Sequence, residues 1–181
     1  MERLYFIALL PPSDIAEEVT RCKQQFADRH NAVHALRSPP HITLYPPFRY
    51  PEENIGIVEN SLTEFGRDRA SFTVRLRGFG AFPPRVIYVN VIKTPELMGI
   101  REELVYFLGD RLQIRDSRDE GRSFSPHMTV AFKDLSKKAF KVAWPEFEAR
   151  SFQRDFTVDR LTLLEHHSGR WHILRDFPFR I

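Results

Sequence analysis

Residues 38–48 read SPPHITLYPPF, and residues 123–132 read SFSPHMTVAF. Both stretches set a histidine directly after a proline, a threonine two residues on, and an aliphatic residue after that. In an extended strand, residues i and i+2 share a face, about 6.5–7 Å apart. His41 and Thr43 therefore form one side-by-side pair and His127 and Thr129 another. Ile42 and Met128 point the other way, into a core. The prolines stiffen each entry and mark where a strand begins. A half-exposed strand can hold one such pattern by accident, but a chain of this composition is expected to carry about 0.1 copies, and two copies arise only a few times in a thousand. The repeat is read as a built feature, and it gives each half of the chain one strand of the same kind.

The remaining elements fall around these two strands. Leu4–Leu10 is an apolar run stopped by Pro11-Pro12, as a buried strand would be. Asp14 with Glu17 suggests a capping box that opens a helix to about Asn31. Ile15, Val19, Cys22 and Phe26 give that helix one apolar stripe. Residues 55–66 read as a second helix. Residues 71–79 and 85–93 alternate with period two and form a pair of neighbouring strands. Thr94-Pro95 starts a third helix, running to about Arg111. A polar loop over 115–123 leads into the second motif, residues 136–143 form a weaker fourth helix, and the chain ends in strands that turn at Ser168-Gly169. The order of elements makes the fold class α+β with a hint of internal duplication.

Composition bounds the function. A length of 181 residues and a mass of 21.3 kDa suit one domain, residues 1–181, made of two tightly joined lobes. A net charge of +3, from 27 basic and 24 acidic residues, permits an anionic partner without pointing to nucleic acid. The single cysteine, Cys22, excludes an internal disulfide and reads as a buried structural thiol. The run at Leu4–Leu10 is too short for a membrane span and lacks a signal-peptide cleavage site, so no membrane partner is expected and the cytoplasm is the expected location. A monomer is expected.

The chemistry-bearing candidates follow from the motif. Histidine titrates near 6.5, so at neutral pH one imidazole can act as base and another as acid, while a threonine hydroxyl can donate to an oxygen of a ligand. Two such pairs facing each other would grip a tetrahedral anion with an imidazole on each side of the phosphorus. Tyr45, Phe48, Phe79 and Phe82 are candidates for stacking a base, although such side chains are more often core. Arg85, Arg118, Arg122 and Lys133 are candidate phosphate contacts, although most such cations are solvated surface charge. EHHSGRWH (165–172) holds three histidines, but His166 and His167 are adjacent and so face opposite sides of a strand, and no cysteine accompanies them. They read as hairpin residues, and no metal is expected. His30 and His34 lie near a helix end, where a histidine meets the dipole favourably.

HITL (41–44) and HMTV (127–130), about 85 residues apart, together with RLYFIALLPP (3–12) and GFGAFPPRVIYVNV (78–91), resemble the two-histidine phosphoesterase superfamily. The resemblance is specifically to the bacterial RNA 2′,3′-cyclic phosphodiesterases, also called 2′-5′ RNA ligases. It implies two pseudo-symmetric lobes, each an antiparallel sheet with helices on its outer side, around a central cleft lined by both motifs. It also implies an enzyme with no cofactor that opens nucleoside or RNA-terminal 2′,3′-cyclic phosphates to 2′-phosphates, with His127 as base, His41 as acid, and Thr43 and Thr129 on the phosphate. The same site could join a 2′,3′-cyclic phosphate to a 5′-hydroxyl and so act as a ligase, and a non-catalytic nucleotide- or RNA-binding module is the other alternative. The chain departs from the family in two places. An arginine is common three residues after the second threonine, where this chain has Phe132 followed by Lys133, and the first motif continues YPPFRY (45–50) where phenylalanine-leucine-glycine is usual. Lys133, Tyr45 and Phe82 are thus the expected substrate contacts beyond the motifs.

Overall fold

The computed structural model describes residues 1–116 and 123–180; Arg118, Arg122 and most of the expected polar loop lie outside the described residues. In chain order the elements are β1 (Glu2–Leu9), α1 (Ser13–His30), β2 (Ile42–Pro51), α2 (Ile55–Arg67), β3 (Phe72–Phe82), β4 (Val86–Val91), α3 (Pro95–Leu112), β5 (His127–Ala131), α4 (Lys137–Ala149), β6 (Gln153–Val158), β7 (Arg160–His167) and β8 (Arg170–Pro178), with a 3₁₀ turn at His34–Arg37 before β2. The strands make two four-stranded sheets, ordered β2-β1-β7-β8 and β5-β4-β3-β6, and every pairing is antiparallel. This is the expected α+β architecture of two lobes.

The duplication hinted at by the motifs extends to whole elements. Strand, 18-residue helix, H-x-T strand and 13-residue helix occur once as β1-α1-β2-α2 and again as β4-α3-β5-α4. Both motif strands are sheet edges. The long helices cross over: α1, inserted between two strands of the first sheet, packs on β5 of the second, and α3, inserted between two strands of the second, packs on β2 of the first. Each lobe is thereby roofed partly by the other.

β1 explains why its sequence is apolar without alternation. Tyr5, Ile7 and Leu9 face the main core, while Phe6 and Ala8 join Leu164 in a smaller cluster on the other face. A strand buried on both faces needs a central place, here between β2 and β7. β2 carries Pro46 and Pro47, which an edge strand tolerates because no neighbour asks for their missing N–H. β7 and β8 join through Ser168 and Gly169, whose φ values of 50° and 74° make the mirror-image turn that two-residue hairpins favour.

Two local expectations are corrected. α1 begins at Ser13 with Pro12 as its N-cap and no side-chain cap, so the Asp14–Glu17 capping box does not form. The amide of Ala16 already bonds the Pro12 carbonyl at 2.9 Å, which places Asp14 inside the first turn, where its charge meets the helix dipole. The fourth helix runs on to Ala149, through Pro145. Phe140, Ala143 and Phe147 are buried on one face, and the Phe147 ring lies 4.6 Å from Phe26 and 5.1 Å from Phe79. That packing outweighs the roughly 3 kcal/mol that an interior proline costs.

Candidate active site

β2 and β5 come together where the lobes meet, and His41, Thr43, His127 and Thr129 line one cavity of about 500 Å³. All four are half-buried, while Ile42, Leu44, Met128 and Val130 are at most 1% exposed on the core side. The period-two reading of both motifs therefore holds in three dimensions.

The two imidazoles are held alike. His41 Nδ1 lies 2.7 Å from the Pro39 carbonyl oxygen, and His127 Nδ1 lies 2.8 Å from that of Ser125. A carbonyl only accepts, so each Nδ1 carries the hydrogen and each Nε2 is left with its lone pair or, when protonated, a second N–H. Each ring also has an aromatic backing. Phe6 sits 4.8 Å from His41 and is itself braced edge-on by Trp171, while Phe82 and Tyr88 sit 5.1 and 5.2 Å from His127. This apolar setting disfavours imidazolium. Burial pushes His41 down to about 4, with Lys23 and then His127 adding repulsion against the Pro39 bond that opposes the shift. Burial lowers His127 too, against the opposing bond to Ser125. With the cleft empty, both rings are neutral at pH 7.

Of the other expected contacts, Phe82 and Lys133 line the cavity. Phe82 is 39% exposed, a large ring left in water beside His127. Lys133 has φ of 58°, a left-handed turn immediately after the motif strand that a side chain adopts at some cost. Tyr45 does not line the cavity. Period two would have set it beside Thr43, but the register shift between Ile7↔Tyr45 and Ala8↔Thr43 adds a residue to β2, so Tyr45 turns inward, 1% exposed, and its hydroxyl donates to the Ile114 carbonyl at 3.2 Å. Phe48 packs on Tyr5 and Tyr45, and Phe79 packs on Phe147 and Phe152. Arg85 is exposed and lies outside the cavity wall.

The structure adds residues that the sequence did not place at the cleft. Phe6, Trp171, Phe132, His34 and Arg37 line the same cavity. His34 had been placed only at a helix end; it packs edge-on against Phe132, and burial, Lys133 and Arg37 lower its pKa. The Asp134 carboxylate accepts the amides of Val33 and His34 at 2.8 and 2.9 Å, which ties the 3₁₀ turn to the end of β5. No local pattern announces these residues, because they converge from four separate segments. Among the described residues no group of three or more His, Cys, Asp or Glu is arranged to hold a metal ion. His167 stacks on His172 at 3.8 Å, whereas His166 turns to Trp171 on the other side.

Gly80 supports this arrangement from behind. A Cβ there would come within 2.4 Å of the Tyr88 ring, the ring that backs both Phe82 and His127. Gly80→Ala is expected to displace Tyr88 from its seat against Phe82 and His127 and lower turnover about tenfold, at a stability cost of about 1–2 kcal/mol. Steady-state kinetics beside a thermal melt checks this, and full activity would show that the Tyr88 position is immaterial.

Comparison with known proteins agrees with this geometry. The family model described as the 2'-5' RNA ligase superfamily matches residues 11–170. A Bacillus cytotoxicus protein provisionally named a phosphoesterase is 30% identical over 174 residues, covering 94% of each chain. A similarly named Bacillus pumilus protein is 27% identical over 176 residues, covering 96% of this chain and 95% of its own. Among solved structures, TT0787 of Thermus thermophilus superposes with a TM-score of 0.73 at 21% identity over 98% of both chains. Apo LigT of E. coli superposes with a TM-score of 0.66 at 19% identity over 100% of this chain and 99% of its own. At those identities the structures speak for the fold, and the family match with the Bacillus relative speaks for kinship: the chain belongs to the 2'-5' RNA ligase superfamily, the two-histidine phosphoesterases.

Proposed function

We propose that the cleft hydrolyses 2′,3′-cyclic phosphates at the end of a nucleoside or an RNA strand, without a metal ion. The observation that carries the reading is the pair of imidazoles in one cavity, each with Nδ1 fixed by a carbonyl and Nε2 available, and each with a threonine two residues on. His127 Nε2 takes a proton from water as the water oxygen bonds to phosphorus. The bond from phosphorus to the ribose 3′ oxygen breaks, and His41 delivers a proton to that oxygen. Thr43 and Thr129 donate to the non-bridging oxygens, where charge builds in the transition state. Solvent then restores the two imidazoles to their starting states. LigT of E. coli has been crystallised with 3'-AMP, with ATP and with phosphate, phosphate-bearing ligands of the class proposed here. With a 5′-hydroxyl in place of water as the attacking group, the same proton transfers would join two RNA ends, the activity in the family's name.

Incubation with 2′,3′-cyclic AMP in excess chelator, followed by chromatography, tests this. Adenosine monophosphate is expected at a rate that the chelator leaves unchanged. Loss of activity restored by zinc or manganese would overturn the metal-free reading. The pH profile is a second check. Both imidazoles are depressed in the empty cleft, so the bell of kcat/KM, which reports free enzyme, should centre below pH 6.5. A bound phosphate anion favours imidazolium, so the bell of kcat should lie at higher pH than that of kcat/KM.

A further inference from the structure

Lys23 and Arg101 are the charged side chains that the described fold buries, at 2% and 9% exposure. They stand on α1 and α3, the two long helices that cross to the opposite lobe. Each meets the chain three residues before a catalytic histidine. Lys23 Nζ donates to the Ser38 carbonyl at 2.9 Å, and the Arg101 guanidinium lies 5.2 Å from the centre of the Phe124 ring. Lys23 is buried within the apolar stripe of α1, between Cys22 and Phe26.

A buried ammonium is costly unless something compensates for it, and a lysine that served packing alone could be a methionine. Among the described residues Lys23 makes no ion pair, and its hydrogen bond to Ser38 is what holds it. Thr20, Arg37, Arg170 and His172 line the depression on its side of the Ser38–Pro40 segment, and His34, Arg37, His41, His127 and Lys133 line the cleft on the other side. Among the described residues no carboxylate lines either cavity, and Asp134, which adjoins His34, is engaged by two amides.

We infer that Lys23 is a positioning residue for the reaction: it clamps the Ser38–Pro40 segment whose Pro39 carbonyl orients His41, and its buried charge opposes a second positive charge on His41 until an anionic substrate enters. Among the charges acting on His41, Lys23 outweighs His127, whereas among the described residues no cation acts on His127. Burial brings Lys23 itself down to about 7, so it is fully charged in the acidic range where His41 titrates. An imidazolium formed beside it is a stronger acid than a free one. His41 is thus loaded by its own substrate and gives up the proton readily, a consequence that rests on the proposed function; the titration of His41 does not.

Substrate-free NMR titration of the histidine ring signals tests the inference apart from any activity. Lys23→Gln keeps a donor for Ser38 and removes the charge; Lys23→Met removes both. In each variant the His41 midpoint is expected to rise by roughly 0.5–1 pH unit while that of His127 stays put. Lys23→Met should also lose about tenfold in kcat with little change in KM. An unmoved His41 midpoint, or both midpoints rising together as a general loosening of the cleft would cause, overturns the inference. If neither variant folds, the unmodified chain decides: His41 titrating at its ordinary value near 6.5, or a depressed midpoint that added salt leaves unmoved, overturns it, and a depressed midpoint that rises with salt, as charge repulsion but not burial would make it, supports it.

Discussion

Replacing His41 or His127 with alanine is expected to lower kcat on 2′,3′-cyclic AMP by roughly 10² to 10⁴ fold, the usual worth of a positioned acid or base. Both rings are half-buried at the cleft and belong to neither core cluster, so the variants should fold with near-normal melting temperatures. Each ring serves one end of a single proton exchange, and removing one leaves the other without its counterpart. The double variant should therefore lie within about tenfold of the worse single variant, far from the product of the two losses. Near-full activity in either single variant would remove that histidine from the mechanism. Losses that multiply would mean that the two rings act in separate steps.

The second large effect is on which isomer forms. Both ring oxygens of a 2′,3′-cyclic phosphate are chemically similar leaving groups, so hydroxide alone gives a mixture of 2′- and 3′-monophosphates. In the cleft, water and the leaving oxygen must lie on opposite sides of phosphorus, and the acid stands at one fixed place. The proposal puts His41 beside the 3′ oxygen, which leaves the phosphate on the 2′ oxygen. Essentially pure nucleoside 2′-monophosphate is expected, read by phosphorus NMR against both authentic isomers. Dominant 3′-monophosphate would mean that the substrate binds in the reverse orientation, and a mixture would mean that the two motifs do not make the site.

Much of this was legible because it is written in local periodicity. The strands at His41 and His127, the faces of Ile42 and Met128, the proline-led start of α3 and the Ser168-Gly169 turn each depend on residues within a few positions of one another. What escaped depends on distant partners. Tyr45 obeys the period of its strand until a bulge against β1 turns it inward. Pro145 reads as a helix stop until Phe26 and Phe79 arrive to hold Phe147. His34 and Trp171 reach the cleft because a turn and a hairpin from opposite ends of the chain meet there. Lys23 looks like an ordinary surface lysine, since only the fold reveals that its ammonium ends under Ser38.

The place of β1 also sets a timetable for the chain as it is made. Its outer partner β2 follows within a few dozen residues, but its inner partner is β7, which pairs Tyr5 with Glu165 and Ala8 with Thr162. The sheet of β3 to β6 can close while β7 and β8 are still unmade, because all four of its strands precede them. On the ribosome, where elongation runs at about 5–20 residues per second, Phe6, Ile7 and Ala8 must therefore wait several seconds with one hydrogen-bonding edge open. Phe6, the ring that backs His41, gains its brace Trp171 only when the β7–β8 hairpin docks, so the wall behind His41 is completed after the sheet that carries His127.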